Sequence, residues 1–302
     1  MRPSTSKSIA ITGASGLIGS ALSRHLQDNG HRVLRFVRRP AVGADEISWD
    51  PRSGHVDTAS LVGVDAVVHL AGAGVGDRRW TPAYKREILE SRTQGTTALA
   101  AALAGMSDGP RVLISGSAIG FYGDTATMRV DESGEQGEGF LADVVAQWEA
   151  AAAPAVEAGV RVAFIRTGLV ATPRGGAFGR MLPLFRLGLG GPLGGGRQFW
   201  SLITLTDEVR AIAFLLDHDL AGPFNLTAPD APTNAAFTKA LGRALRRPAV
   251  FPVPGFALRL VLGEFSSEVL GSARVHPQRL LDAGFTFSAV GADAIAASLR
   301  ER

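Results

Sequence analysis

Along the first 170 residues two hydrophobic periods take turns. Residues 8–12, 32–37, 65–70, 111–115 and 160–166 are short, nearly continuous apolar runs of strand length, with 46–49 as a weaker one. Between them, residues 17–29, 82–103 and 141–158 carry apolar positions at helical spacing. In the first of these Leu17, Ile18, Ala21, Leu22 and Leu26 share a face, and Gly30 marks the stop. Strands separated by helices in this order predict an α/β fold, a Rossmann-type doubly wound parallel sheet with helices on both faces.

Beyond residue 171 the pattern changes. Residues 172–197 are rich in Gly and Pro and end LGLGGPLGGGR, the composition of a linker. Yet Met181, Leu182, Leu184, Phe185 and Leu187 run through it, which a linker does not need. A short helix followed by a glycine loop near the site is therefore expected. Further short signals fall at 209–216, 234–245 and 277–283, with no internal repeat. The expected organisation is a dinucleotide-binding domain over 6–170, rejoined by about 205–226. A smaller C-terminal α+β substrate lobe is expected from 171–204 and 227–302.

The strongest motif is TGASGLIG, residues 12–19, placed after a strand and at the opening of a helix. Gly13 is expected to allow the tight turn, Gly16 the approach of a pyrophosphate, and Gly19 close helix–sheet packing. Leu17 and Ile18 open the helix whose N-terminus faces the phosphates. The following strand runs RVLRFVRRP, with Arg38 nineteen residues after Gly19, where NAD-preferring sites usually place an acid. Arg38 and Arg39 offer guanidinium groups to a 2′-phosphate, and Ser15 adds a hydroxyl, so NADP(H) is the expected cofactor. Leu70, Ala71 and Gly72 end the strand at 65–70, where small residues let backbone lie beside the ribose and pyrophosphate.

Composition narrows the chemistry. The 302 residues include no cysteine, which excludes disulfides, thiolate nucleophiles and cysteine zinc sites. Six histidines show no metal-like spacing, so no metal is expected. The formal charge is only +3 although the pI is about 9.8, and the arginines run from Arg2 to Arg302 without forming one block. Nucleic acid is not an expected partner on that footprint. No apolar run approaches the roughly 18 residues of a membrane span. The glycine-broken N-terminal stretch has no cleavage region, so neither membrane insertion nor a signal peptide is expected and the expected location is the cytoplasm.

TGASGLIG, HLAGAG at 69–74 and SGSAIGFYG at 115–123 together resemble the extended or atypical short-chain dehydrogenase/reductases. More narrowly they resemble the epimerase family branch. The likeness continues through RRWTPAYKREILESR, VVAQWEAAA, RTGLV, LPLFRLGLGGPLGGGRQ and FALRLVLGE…RVHPQRLLDAGFTF, nearly the whole chain. It implies NADP(H) held between the Rossmann domain and a C-terminal substrate lobe, and an unidentified small-molecule substrate. It also implies that Arg38 binds the 2′-phosphate, Leu70 and Ala71 line the cofactor, Glu87 and Arg92 face it, and Leu169 borders the nicotinamide end. Related proteins often dimerise through the two long helices, so a homodimer is one state to test. Where relatives commonly have Trp and His within QFWSLITLTD, Leu202 and Thr204 stand here.

Members of this superfamily typically move a hydride between nicotinamide and a carbonyl carbon while a tyrosine hydroxyl exchanges the proton. A lysine four residues on tunes it, and a serine holds the substrate oxygen. Ser117, with Ser115 beside it, matches the serine. The Tyr–Lys pair has no counterpart. The chain has two tyrosines, Tyr84 and Tyr122, and three lysines, Lys7, Lys85 and Lys239, none spaced as Tyr-x-x-x-Lys. At the expected place stand Phe140, Leu141, Val144 and Val145, and Arg92 replaces the usual asparagine. Tyr122 is the remaining phenol, although such a tyrosine is more often structural. The Glu87/Arg92 pair reads either as cofactor contacts or as a surface ion pair. Asp124 and Asp131 are loop acids, His69 is a core residue, and Trp200 is the best pocket aromatic. The catalytic candidates are Ser117 and Tyr122. Two functions stay open: an oxidoreductase or epimerase-like enzyme for a small carbonyl or alcohol with an atypical proton donor, and a non-catalytic NADP(H)-binding sensor or scaffold.

Overall fold

The structure, a computed structural model, describes residues 6–300. In chain order the first half forms β1 (Ser8–Thr12), α1 (Leu17–Asp28), β2 (Arg32–Val37), β3 (Glu46–Asp50), β4 (His55–Val56), β5 (Ala66–His69), α2 (Pro82–Ala104), β6 (Val112–Ala118), α3 (Phe140–Ala150), α4 (Ala153–Glu157) and β7 (Arg161–Thr167). The second half forms β8 (Leu169–Ala171), α5 (Gly176–Arg186), β9 (Leu202–Thr204), α6 (Leu205–Asp217), β10 (Gly222–Leu226), α7 (Asn234–Leu245), α8 (Gly255–Leu262), α9 (Ser266–Leu270), α10 (Gln278–Asp282) and α11 (Gly291–Ser298).

Eight strands make one sheet in the order β10-β7-β6-β5-β1-β2-β3-β4, parallel except for the short β3–β4 pair. Side chains alternate across it. Ile9 and Ile11 pack with Leu22 and Leu26 of α1 and with Ile212 and Leu215 of α6. Ala10 faces the other way, toward Leu99 and Leu103 of α2 and Ala155 of α4. Both faces are therefore covered, which is why these strands read as continuous apolar runs. The strand order reverses between β1 and β5, and the crevice beyond the C-terminal ends there is where doubly wound sheets bind ligands.

A third core forms outside the sheet. Phe178, Leu182 and Phe185 of α5, Phe237 and Leu241 of α7, and Ile295 of α11 close around the two-stranded β8–β9 ribbon. The apolar residues noticed in the glycine-rich stretch are thus the buried face of α5. Trp200 belongs to this core, with ring centroids 6.4 Å from Phe178 and 6.2 Å from Phe237, and is not a pocket aromatic.

Two elements differ from the sequence reading. The single helix expected at 141–158 is broken after Ala150, because Pro154 lacks the N–H that would continue it and its ring would strike the carbonyl four residues back. The strand expected at 111–115 runs on to Ala118, so Ser117 is a strand residue paired with Arg166 of β7. No helix among the described residues is long and apolar enough to cross a membrane.

Candidate functional site

The glycine loop joins β1 to α1. Gly13 has φ +65°, and a Cβ there would meet the Leu70 carbonyl at 2.9 Å, because the ends of β1 and β5 abut. A Cβ at Gly19 would lie 2.2 Å from the Gly13 oxygen. Gly19 therefore lets the loop fold back on its own helix, a closer constraint than the helix–sheet contact expected from the motif. Gly16 caps α1, and its N–H donates to the Gly13 carbonyl at 2.9 Å. No side chain caps this helix and its first turn holds no acid. Ser15 and Gly16 are exposed while Leu17 and Ile18 are half-buried. Free N–H groups at the positive end of the helix dipole form an anion site on a surface where backbone can approach.

One hydroxyl ties the two strand ends together. Thr12 Oγ1 accepts the backbone N–H of Leu70 at 3.0 Å and of Ala71 at 3.2 Å. Its own hydrogen is then directed at His69 Nδ1, 2.7 Å away. The ring proton is left on Nε2, which is buried without a hydrogen-bond partner. Burial, with Arg92 nearby, pulls the His69 pKa down to about 4, so the ring is neutral. His69 is a fastener beneath the site.

The two arginines after β2 are not equivalent. Arg39 grips Glu46 of β3 with two bonds of 2.7 Å, and Glu46 also accepts the Val42 N–H. The Arg39 hydrogen bond holds the Glu46 carboxyl at about 2. Arg38 is exposed and has no ion-pair partner among the described residues. The loops after parallel β1 and β2 share one edge of the sheet, so Arg38 is the cation left for a ligand there.

Helix α2 separates Glu87 from Arg92. Arg92 turns inward, donates to the Ala73 carbonyl at 2.9 Å and to the Ile88 carbonyl at 3.0 Å, and stacks its guanidinium 5.0 Å from the Trp148 ring. A Cβ at Gly72 would meet it at 3.5 Å. Burial lowers its pKa to about 10, still a cation at neutral pH. Glu87, five residues earlier, is exposed on another face and pairs with Arg78 at 3.7 Å. Tyr84, from the same helix, donates to the Gly74 carbonyl at 2.6 Å.

Ser117 and Tyr122 belong to one largely buried network. Ser117 donates to Glu149 Oε1 of α3 at 2.6 Å. Arg166 of β7 holds both Glu149 oxygens at 2.8 Å and donates to the Tyr122 hydroxyl at 2.9 Å. Tyr122 in turn donates to Asn225 Oδ1 of β10 at 2.8 Å. Burial raises the Tyr122 pKa, with Arg166 opposing, so the phenol stays protonated. Leu169 begins β8, half-buried, its N–H on the Ser201 carbonyl at 2.8 Å. Thr204 caps α6 by accepting from Asp207 N at 3.1 Å, and Leu202 is fully buried, so neither reaches the crevice as a polar contact. Asp124 and Asp131 accept backbone N–H groups within turns.

Residues 9–226 match the model of the NAD dependent epimerase/dehydratase family, and residues 253–294 match a domain of unknown function, DUF1731. The chain belongs to the NAD dependent epimerase/dehydratase family. An epimerase family protein of Mycobacterium leprae is 47% identical over 281 residues, 92% of this chain and 91% of that one. The human epimerase family protein SDR39U1, whose crystal structure is with NADPH, superposes with a TM-score of 0.88 at 32% identity, covering 97% of this chain and 98% of that one. A Corynebacterium glutamicum structure titled nucleoside-diphosphate sugar epimerase superposes at 0.77 and 35% identity, over 98% of this chain and 58% of that one. The doubly wound fold is thus that of the family.

The residues of this epimerase-family site that the sequence reading missed are partners of those it named. Glu149, Arg166, Asn225 and Glu46 were not singled out. One signal was present: Glu149 and Arg166 are opposite charges inside an apolar helix and an apolar strand, VVAQWEAAA and RVAFIRT. Charges in such elements are paired when buried.

Proposed function

We propose that this chain binds NADP(H) and is an oxidoreductase or epimerase-like enzyme for a small carbonyl or alcohol, with the Ser117–Glu149 pair in place of Tyr–Lys. The observation that carries the reading is the uncapped, acid-free start of α1 on its glycine loop, on the same sheet edge as the unpaired Arg38. The donor set fits the group. The backbone N–H groups of Leu17 and Ile18 and the Ser15 hydroxyl suit a pyrophosphate, with Gly16 leaving room for its approach, and Arg38 suits a 2′-phosphate. Ala71 and Gly72 offer backbone to the ribose, with Arg92 and Leu169 toward the other end.

When bound, the nicotinamide gives or takes a hydride. The chain must handle the proton. In the oxidative direction a substrate alcohol passes its proton to Ser117 Oγ as the Ser117 hydrogen moves to Glu149 Oε1. The reductive direction is the reverse. Arg166 orients the carboxylate by holding both of its oxygens. Tyr122 is a positioning residue, holding Arg166 through its hydroxyl.

A second reading, a non-catalytic NADP(H)-binding sensor or scaffold, is favoured by one fact. Both phenols are bonded elsewhere, and Lys7 and Lys85 sit in ion pairs with Asp217 and Glu264. The discriminating experiment follows NADPH oxidation against a carbonyl panel, with NADPH affinity measured in parallel. Enzyme chemistry predicts turnover that falls about hundredfold in Ser117→Ala and in Glu149→Gln with NADPH affinity kept. Tight NADPH binding without turnover on any carbonyl supports the second reading. Absence of NADPH binding overturns both.

A further inference from the structure

Two long stretches of this chain contain no acidic residue, 158–206 and 231–263. Their arginines look scattered in the sequence. The fold lays the two stretches side by side. Phe251 N donates to the Gly190 carbonyl at 3.2 Å, Val253 N to Pro192 at 2.9 Å, and Gly194 N to Val253 at 2.8 Å. Arg247 Nε donates to the Arg186 carbonyl at 3.0 Å.

The result is a face of unusual composition. A groove of about 640 Å³ is lined by Lys239, Arg243, Arg246, Arg247 and Val250. Arg243 is neutralised by Asp293 at 2.5 Å. Lys239, Arg246, Arg247, and the nearby Arg186 and Arg259, have no acidic partner among the described residues. Beside these cations lie apolar side chains turned to solvent. Leu187 is 72% exposed and Val250 68%. Helix α8 buries none of its residues. Phe256, Arg259 and Leu260 share one of its faces at i, i+3 and i+4, with Phe256 at 72% and Leu260 at 75% exposure.

We propose that this face docks on an anionic phospholipid surface. The groove takes headgroup phosphates, and Phe256, Leu260 and Val261 enter the layer between headgroups and acyl chains. The combination of unpaired cations with exposed Leu, Phe and Val is the composition of an interfacial helix and its polybasic neighbour. A second copy fits less well, because a two-fold interface would press these unpaired cations against one another. Nucleic acid would use the cations but gives the aliphatic side chains nothing to bury against.

The test uses the full chain with vesicles of phosphatidylcholine, with and without phosphatidylglycerol, in a sedimentation assay. The expected result is partition onto the anionic vesicles alone, falling as salt rises. R246Q/R247Q lowers that partition about thirtyfold, at roughly fivefold per cation. F256S/L260S lowers it about tenfold. All four positions are exposed, and unchanged thermal unfolding shows that the variants fold. Because the chain has no cysteine, Leu260→Cys takes a single environment-sensitive dye, whose emission shifts to the blue on anionic vesicles. Equal partition onto neutral vesicles, full binding by R246Q/R247Q, or an unshifted dye overturns the proposal. So does sedimentation velocity showing a dimer that buries the dye, or duplex DNA displacing the vesicles.

Discussion

Glu208 is the sharpest test of the electrostatics beneath this site. It lies in the first turn of α6, with no exposed surface, against the end of β7. One carboxyl oxygen accepts the Thr167 hydroxyl at 2.7 Å, and the other has no partner. Burial pushes its pKa up to about 8 from 4.5, the Thr167 bond opposing. A raised carboxyl pKa means that the folded state holds a proton the unfolded chain has released. The associated stability is fully present below pH 4.5 and is lost as pH rises through 8. The loss is ~1.4 kcal/mol per pH unit, reaching ~5 kcal/mol at the plateau. Glu208→Gln keeps the oxygen that accepts from Thr167 and removes the titration. Urea unfolding of both proteins, followed by tryptophan fluorescence from pH 5 to 9, isolates the effect, since every other group titrates alike in the two. The variant is expected to differ by a small constant at pH 5 and to gain steadily on the parent up to about pH 8. Stability curves that run parallel across that range would refute the reasoning.

Other substitutions test other links. Arg38→Ala is expected to weaken NADPH about tenfold to hundredfold and leave NADH unchanged, whereas Arg39→Ala changes NADPH affinity less than about fivefold because Glu46 already holds Arg39; fluorescence titration of both cofactors reads the split. Arg166→Met leaves Glu149 without its cation and is expected to cost about 3–5 kcal/mol of unfolding free energy. Adding Glu149→Gln should restore part of that, and an additive double mutant would break the account. His69 works in the opposite sense to Glu208: its depressed pKa makes stability fall by ~3 kcal/mol as pH drops from 6.5 to 4. His69→Asn is expected to flatten that limb in acid unfolding curves.

What the sequence determined by itself is whatever short-range physics decides. The alternation of strand and helix periods laid out β1 to β3 and β5 to β7, because strands covered on both faces must be apolar throughout; the two-residue edge strand β4 carried no such signal. The glycines at 13, 16 and 19 located the loop, because a turn with φ +65° and a contact of 2.2 Å leave no room for a side chain. The absence of a Tyr-x-x-x-Lys spacing anywhere was a matter of counting. Residue roles that depend on distant partners were out of reach. Arg38 and Arg39 are neighbours with the same chemistry, and only the pairing of β2 with β3 brings Glu46 to one and not the other. Glu87 and Arg92 look paired in sequence, but the helix turns them to different faces. Ser117 and Tyr122 read as free hydroxyls until β7 and α3 place Arg166 and Glu149 between them, 17 residues apart in the chain. The arginines on the C-terminal face are spread over stretches that meet only through tertiary pairing. Local backbone geometry and hydrophobic period act over a few residues and can be read along a line. Whether a charge or hydroxyl is spent or available depends on what stands within about 3 Å of it, and only the folded chain decides that.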